Sequence, residues 1–195
     1  MNFDFAEQIN PFLEVHAYSN AIELAETALQ KITFTDFHAV LGQSLVHQSG
    51  ALTVWMDEFY ANVSKEIAVK AMYFEMNEFD INTDYWYIDG FAFIEDGGWD
   101  LEDMEWLSEA SEETMTSGEF ILKGYEQLQE AFENEDSDSA EAENARDWCE
   151  QIVIARFMEL MRTAHLKAKD QNLEWADIPL YYSIHGYDFI LRSEG

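Results

Sequence analysis

Five histidines, one cysteine and forty carboxylates are the groups in this chain whose chemistry could be put to work. His16, His38, His47, His165 and His185 form no H-E-x-x-H pair, and no set of Cys and His has zinc-site spacing. His38 and His47 stand more than two helical turns apart, so each reads as a satisfied structural histidine. His165 reads as a half-buried helix residue at the edge of an apolar face. Cys149 lies on an apolar stripe beside Asp147 and Glu150. Acidic neighbours raise a thiol pKa and oppose thiolate chemistry, so this cysteine reads as core.

Asp80-Ile81-Asn82-Thr83-Asp84 begins like a calcium loop. Tyr85, however, stands where the sharp-turn glycine belongs, and Phe91 where the bidentate glutamate belongs, so the stretch reads as a hairpin turn. There is no G-x-S-x-G elbow, no Walker loop and no G-x-G-x-x-G. Among so many carboxylates, close pairs arise by chance, so a pair alone does not signal acid–base catalysis. The sequence therefore offers no catalytic residues, no metal-ligand set and no cofactor motif, and it favours a non-enzymatic role.

Charge is the stronger signal. Forty Asp and Glu stand against ten Lys and Arg, for a formal charge of -30. Such a surface repels a phosphate backbone and an anionic leaflet, which argues against direct nucleic-acid or membrane binding. It attracts cations, including basic proteins, metal ions and polyamines. The acids are concentrated: 19 of the 40, but only two basic residues, Lys123 and Arg146, lie between Glu95 and Asp147. Aromatic residues interleave with them. Carboxylates steer a basic partner and aromatic rings anchor it, so the candidate partner-binding residues are Asp96, Trp99, Asp100, Glu102, Asp103, Glu105, Trp106, Glu109, Glu112 and Glu113. Plain solubilisation by exposed acids, with Trp99 or Trp106 plugging the core, would leave the same pattern.

The elements that must position these residues follow from periodicity. Hydrophobic residues make up 48% of the 195 residues and aromatics 15%, enough for one folded domain spanning 1–195. One cysteine allows no intramolecular disulfide, and the N-terminal stretch lacks a basic signal region. With no run of about 18 uncharged apolar residues, the expectation is a cytoplasmic protein. Residues 18–31 read as a helix, and a second helix extends from Thr35 or Asp36 to Ser64, bent or broken by Gly42 and Gly50. Ile67–Phe79 and Asp84–Glu95 read as a hairpin whose faces are both rather apolar. Such a sheet needs helices on one face and loops or a partner on the other. Residues 99–116 read as an acidic irregular segment with one helical turn. Thr116 and Glu119 resemble a capping box opening a helix that carries Ile121, Tyr125, Leu128 and Phe132. The stretch 133–143 reads as an exposed, mobile acidic loop, and 144–170 as a strong helix. Two short strands follow Pro179, turning at His185-Gly186. The fold class is α+β: an antiparallel sheet of about four strands, in two hairpins, packed against several helices.

These features point first to an acidic protein-interaction module, with an inhibitor or immunity protein for a basic, nuclease-type partner as its specific form. Two alternatives stand beside it. One is a small-molecule-binding or enzymatic domain with a pocket lined by Tyr85, Trp86, Tyr181 and Tyr182. The other is a DNA mimic whose carboxylates imitate phosphates.

Overall fold

The computed structural model describes residues 2–33, 35–77, 79, 85–100, 104–109, 114–134, 139–187 and 189–194. The fold is α+β, with five helices against one five-stranded sheet among the described residues. In chain order, α1 (Phe3–Glu14), α2 (Tyr18–Leu29) and α3 (Ser49–Val63) precede the hairpin β1 (Ala71–Met76) and β2 (Tyr87–Phe93). The short strand β3 (Phe120–Ile121), α4 (Glu126–Asn134) and the long α5 (Ala140–Gln171) lead to β4 (Leu180–Ile184) and β5 (Leu191–Ser193). The expected turn at 80–83 lies outside the described residues.

The sheet order is β3-β2-β1-β4-β5. The two hairpins are those expected from the sequence, and they meet through a parallel pairing of β1 with β4, which makes the sheet mixed. Side chains alternate across the pleat. Met72, Phe74, Met76, Ile88, Leu180 and Tyr182 join the main core under the helices. Ala71, Tyr73, Phe93 and Tyr181 point to the outer face, where a second, smaller core forms.

α1 was not expected. Ala6, Ile9 and Leu13 recur at helical spacing and are buried, Asn2 caps the helix by accepting from the Asp4 amide at 3.1 Å, and Pro11 is carried inside. Burial of that stripe outweighs the proline's lost hydrogen bond. The helix expected over 35–64 is divided. Thr35 caps a 3-10 turn at Asp36–Val40, Gly42 adopts a positive φ of 70°, and a second 3-10 turn at Val46–Gln48 leads into α3. Gly42 makes the break, whereas Gly50 lies inside α3. The helix expected from Thr116 also starts later. Phe120 and Ile121 pair with β2, Gly124 turns the chain at φ 92°, and Glu126 opens α4. The pairing of 120–121 with the sheet edge takes precedence over the capping signal. The acidic stretch 133–143 is not loop throughout: α4 continues to Asn134 and α5 begins at Ala140, its Ser139 cap accepting from the Ala142 amide at 3.1 Å.

α5 is the axis of the molecule. Every residue from Trp148 to Met158 is buried, including Glu150, Gln151 and Arg156. Arg156 forms an ion pair with Glu26 of α2, and the same Glu26 oxygen accepts from the Gly42 amide at 2.9 Å. A buried cation left without its anion is costly. Glu26→Leu is therefore expected to lose about 3 kcal/mol of unfolding free energy, and the double change Glu26→Leu with Arg156→Met to recover most of it. Chemical denaturation of the three proteins measures both effects.

His165, expected at the edge of an apolar face, is instead fully buried and stacks on Trp175. Its Nε2 donates to the Ala176 carbonyl at 3.0 Å, so Nδ1 is the acceptor, 2.7 Å from the Ser193 hydroxyl. Ser193 in turn accepts from Arg162 at 2.6 Å. Burial lowers the imidazole pKa from 6.5 to about 4, so the folded protein holds it neutral. The unfolded chain binds the proton first, so this stabilising contribution is whole above pH 6.5 and falls away as pH drops towards about 4. Unfolding free energy measured across that window should decline less steeply for His165→Gln than for the parent, by on the order of 3 kcal/mol over the whole range.

Candidate protein-interaction face

The outer face of the sheet is where the acidic segment lands. After β2 the chain crosses back over Ala71, Tyr73, Phe93 and Tyr181, and Met104, Trp106 and Leu107 pack on them. The expected helical turn is a 3-10 turn at Glu105–Glu109. Residues 94–100 and 104–109 thus form a strap over an apolar surface that would otherwise face water, the covering loop that a two-sided apolar hairpin requires.

Three groups of contacts pin the strap. Asp96 accepts from the Tyr181 hydroxyl at 2.6 Å and the Gly98 amide at 3.0 Å through Oδ1, and meets Arg192 at 3.2 Å through Oδ2. Arg192 also lies 5.7 Å over the Tyr181 ring and pairs with Glu194 at 2.9 Å. Trp99 Nε1 donates to the Ile190 carbonyl at 2.9 Å, tying the strap to the segment before β5. Trp106 sits edge-on to Phe93 and Tyr181, both at 5.0 Å, and its Nε1 donates to the Gly98 carbonyl at 3.2 Å. Burial and the Asp96 carboxylate push the Tyr181 pKa up, so its hydroxyl keeps its proton and remains a donor.

The sequence-predicted residues therefore divide by role. Asp96, Trp99 and Trp106 hold the strap. Glu105 and Glu109 are exposed on it, as are Asp100 and Trp99 just before its turn. Trp99 is 40% exposed, and the neighbouring Ile94 is 62% exposed. Glu102, Asp103, Glu112 and Glu113 lie outside the described residues. Phe93, Gly97, Trp106, Glu95 and Glu109 line a cleft of about 420 Å³ beside the strap.

A second set of acids on this face went unread in the sequence. Glu75 and Asp89 stand directly opposite each other on β1 and β2. Facing like charges destabilise a strand pair unless partners offset them. The Tyr73 hydroxyl donates to Glu75 at 2.6 Å, and His185 Nδ1 lies 2.8 Å from its other oxygen. Asp89 keeps a raised pKa through burial and the nearby Glu119, with a Thr116 hydrogen bond in opposition. Only the strand register brings Glu75 and Asp89 together, and the sequence did not supply it.

Chemically the face presents acceptors and aromatic edges. No group of three His, Cys, Asp or Glu among the described residues could hold a metal ion. Of the four aromatics expected to line a small-molecule pocket, Trp86, Tyr181 and Tyr182 are wholly buried, so they give no accessible wall, while Tyr85 is exposed. Comparison with protein-family models, curated proteins and solved structures finds no match.

Gly97 tests the strap. A Cβ built there would lie 2.4 Å from Trp106 Cγ, within the indole's own space. Gly97→Ala is expected to lift Trp106 from Tyr181 and to cost about 1–3 kcal/mol. Faster limited proteolysis within 97–109, with loss of near-ultraviolet circular dichroism, would register the change.

Proposed function

We propose that this protein is a non-enzymatic acidic interaction module whose outer sheet face binds a basic protein. The supporting observation is the strap. It carries exposed Glu95, Asp100, Glu105 and Glu109 with two exposed apolar side chains, Ile94 and Trp99, and it is fastened to a sheet through Asp96 and Trp106. A fixed array of carboxylates around apolar anchors costs little ordering entropy when it binds, which favours affinity, while its field favours rapid association with a cationic partner. Glu75 and Asp89 extend the same sign of charge across the sheet. An inhibitor or immunity protein that covers the cationic site of a nuclease-type partner is the specific form of this reading, acting in the cytoplasm. No helix among the described residues is long and apolar enough to cross a membrane.

A photo-crosslinking amino acid at position 99, introduced into the full chain in its native host, tests the proposal. The expected result is a crosslink to one basic polypeptide that weakens with salt. Combined Glu95→Lys, Glu105→Lys and Glu109→Lys should reduce its yield by about tenfold or more. The same crosslinker at Glu23, on α2, is the control. Equal crosslinking from both positions, or indifference to charge reversal, would refute the reading.

A further inference from the structure

A second cleft lies where α3 passes residues 115–118 at the edge of the sheet. It has a volume of about 320 Å³. Trp55, Phe59 and Val63 supply its apolar side, and Met115 to Gly118 the opposite wall. Trp55 is held in place: its Nε1 donates to the Gly118 carbonyl at 3.2 Å, and its ring lies 5.9 Å from Phe74 and 5.8 Å from Phe120. Glu58, Asn62 and Glu66 follow one another at i, i+4 and i+8 along the rim, and both glutamates are exposed. Among the described residues, no Lys, Arg or His lines the cleft. Lys65 is adjacent, with its ammonium 3.1 Å from the Asn62 amide oxygen.

We infer that this cleft docks an extended basic segment of a protein partner. The shape of the cleft and the placement of its charges argue for that occupant. Glu58 lies on α3 and Glu66 in the turn that continues it past Val63, where the Ser64, Lys65 and Glu66 amides bond back to Tyr60, Asn62 and Val63. At about 1.5 Å per residue the two positions stand about 12 Å apart along that axis. An extended chain advances about 3.3 Å per residue, so cations four residues apart match them. The volume between them accepts one large aliphatic side chain against Trp55 and Phe59. An arginine lying on the Trp55 face would add a cation–π contact to the charge pairing at the rim. This inference shares with the proposed function only the basic character of the partner. The cleft involves none of the strap's residues, so it can be tested apart from them.

The probe is the pentapeptide Arg-Ala-Leu-Ala-Arg, blocked at both ends, added to the full chain labelled with 5-fluorotryptophan and observed by fluorine NMR. Trp55→Phe assigns the signal. The Trp55 resonance is expected to move while those of Trp99 and Trp106 stay in place. Replacing both peptide arginines by neutral citrulline should weaken binding by about tenfold, as should Glu58→Gln with Glu66→Gln in the protein. Lys65→Met, which removes a competing cation, should tighten it. An equal shift with the citrulline peptide, a common drift of all tryptophan signals, or no shift at all would each overturn the inference. None of these results bears on crosslinking from position 99.

Discussion

The α5 helix is buried around its whole circumference from Trp148 to Met158, yet it carries Glu150, Gln151 and Arg156 within that stretch. A charged side chain can remain in such a place only if the surrounding elements bring it a partner. Arg156 obtains one from Glu26, which also accepts from the Gly42 amide. One carboxylate thereby fixes the position of α2, the break before α3 and the middle of α5. At the N-terminal end of the helix, Trp148 stacks on Phe5 of α1 at 4.1 Å, and Asp147 accepts from Asn2 at 2.9 Å. At the other end, His165 and Arg162 reach Ser193 in the last strand. The helix layer and the sheet are therefore registered against a single rod.

That rod explains how a chain of such extreme charge keeps an ordered acidic surface. Self-repulsion among carboxylates opposes compaction. Here the opposing term is a core filled with large side chains, with Trp86, Trp175, Phe157 and Tyr182 all fully buried. The strap is secured in the same manner on a smaller scale, with aromatic packing beneath it and a few short hydrogen bonds at its borders. Asp96 fastens it, while Glu95, Glu105 and Glu109 are exposed on its outer side.

Much of the architecture was legible in the sequence because it rests on local signals. The stripe Cys149, Ile152, Val153, Phe157, Leu160, Met161 and Ala164 marked α5, and every one of these residues is buried. The two hairpins were marked by β-branched and aromatic runs around turn chemistry. The missing parts depend on distant partners. α1 contains a proline that local reasoning treats as a breaker, and only its buried contacts with the rest of the chain sustain it. The capping pattern at Thr116 does not open a helix because the edge of β2, which captures Phe120 and Ile121, is not visible from the segment itself. At the candidate face, composition located the acidic segment but could not separate Asp96, Trp99 and Trp106, which fasten it, from Glu105 and Glu109, which point outward on it. Glu75, Asp89 and His185 were invisible as a group because strand register alone unites them.

The parallel pairing of β1 with β4 also carries a consequence for how the chain is made. Residues 72–76 bond to 180–184, on the far side of α3's neighbours, the strap, α4 and the whole of α5. On the ribosome, β1 can pair with β2 at once, but its other edge has no strand beside it until more than a hundred further residues have emerged. Throughout that interval a central strand of the finished sheet is temporarily an edge, with its backbone groups open to any passing strand. The acid-rich residues 95–147 are synthesised in the meantime, and like charge on nascent copies opposes their association. Acidity would then protect the protein before it is complete, at a stage when no partner could yet recognise it.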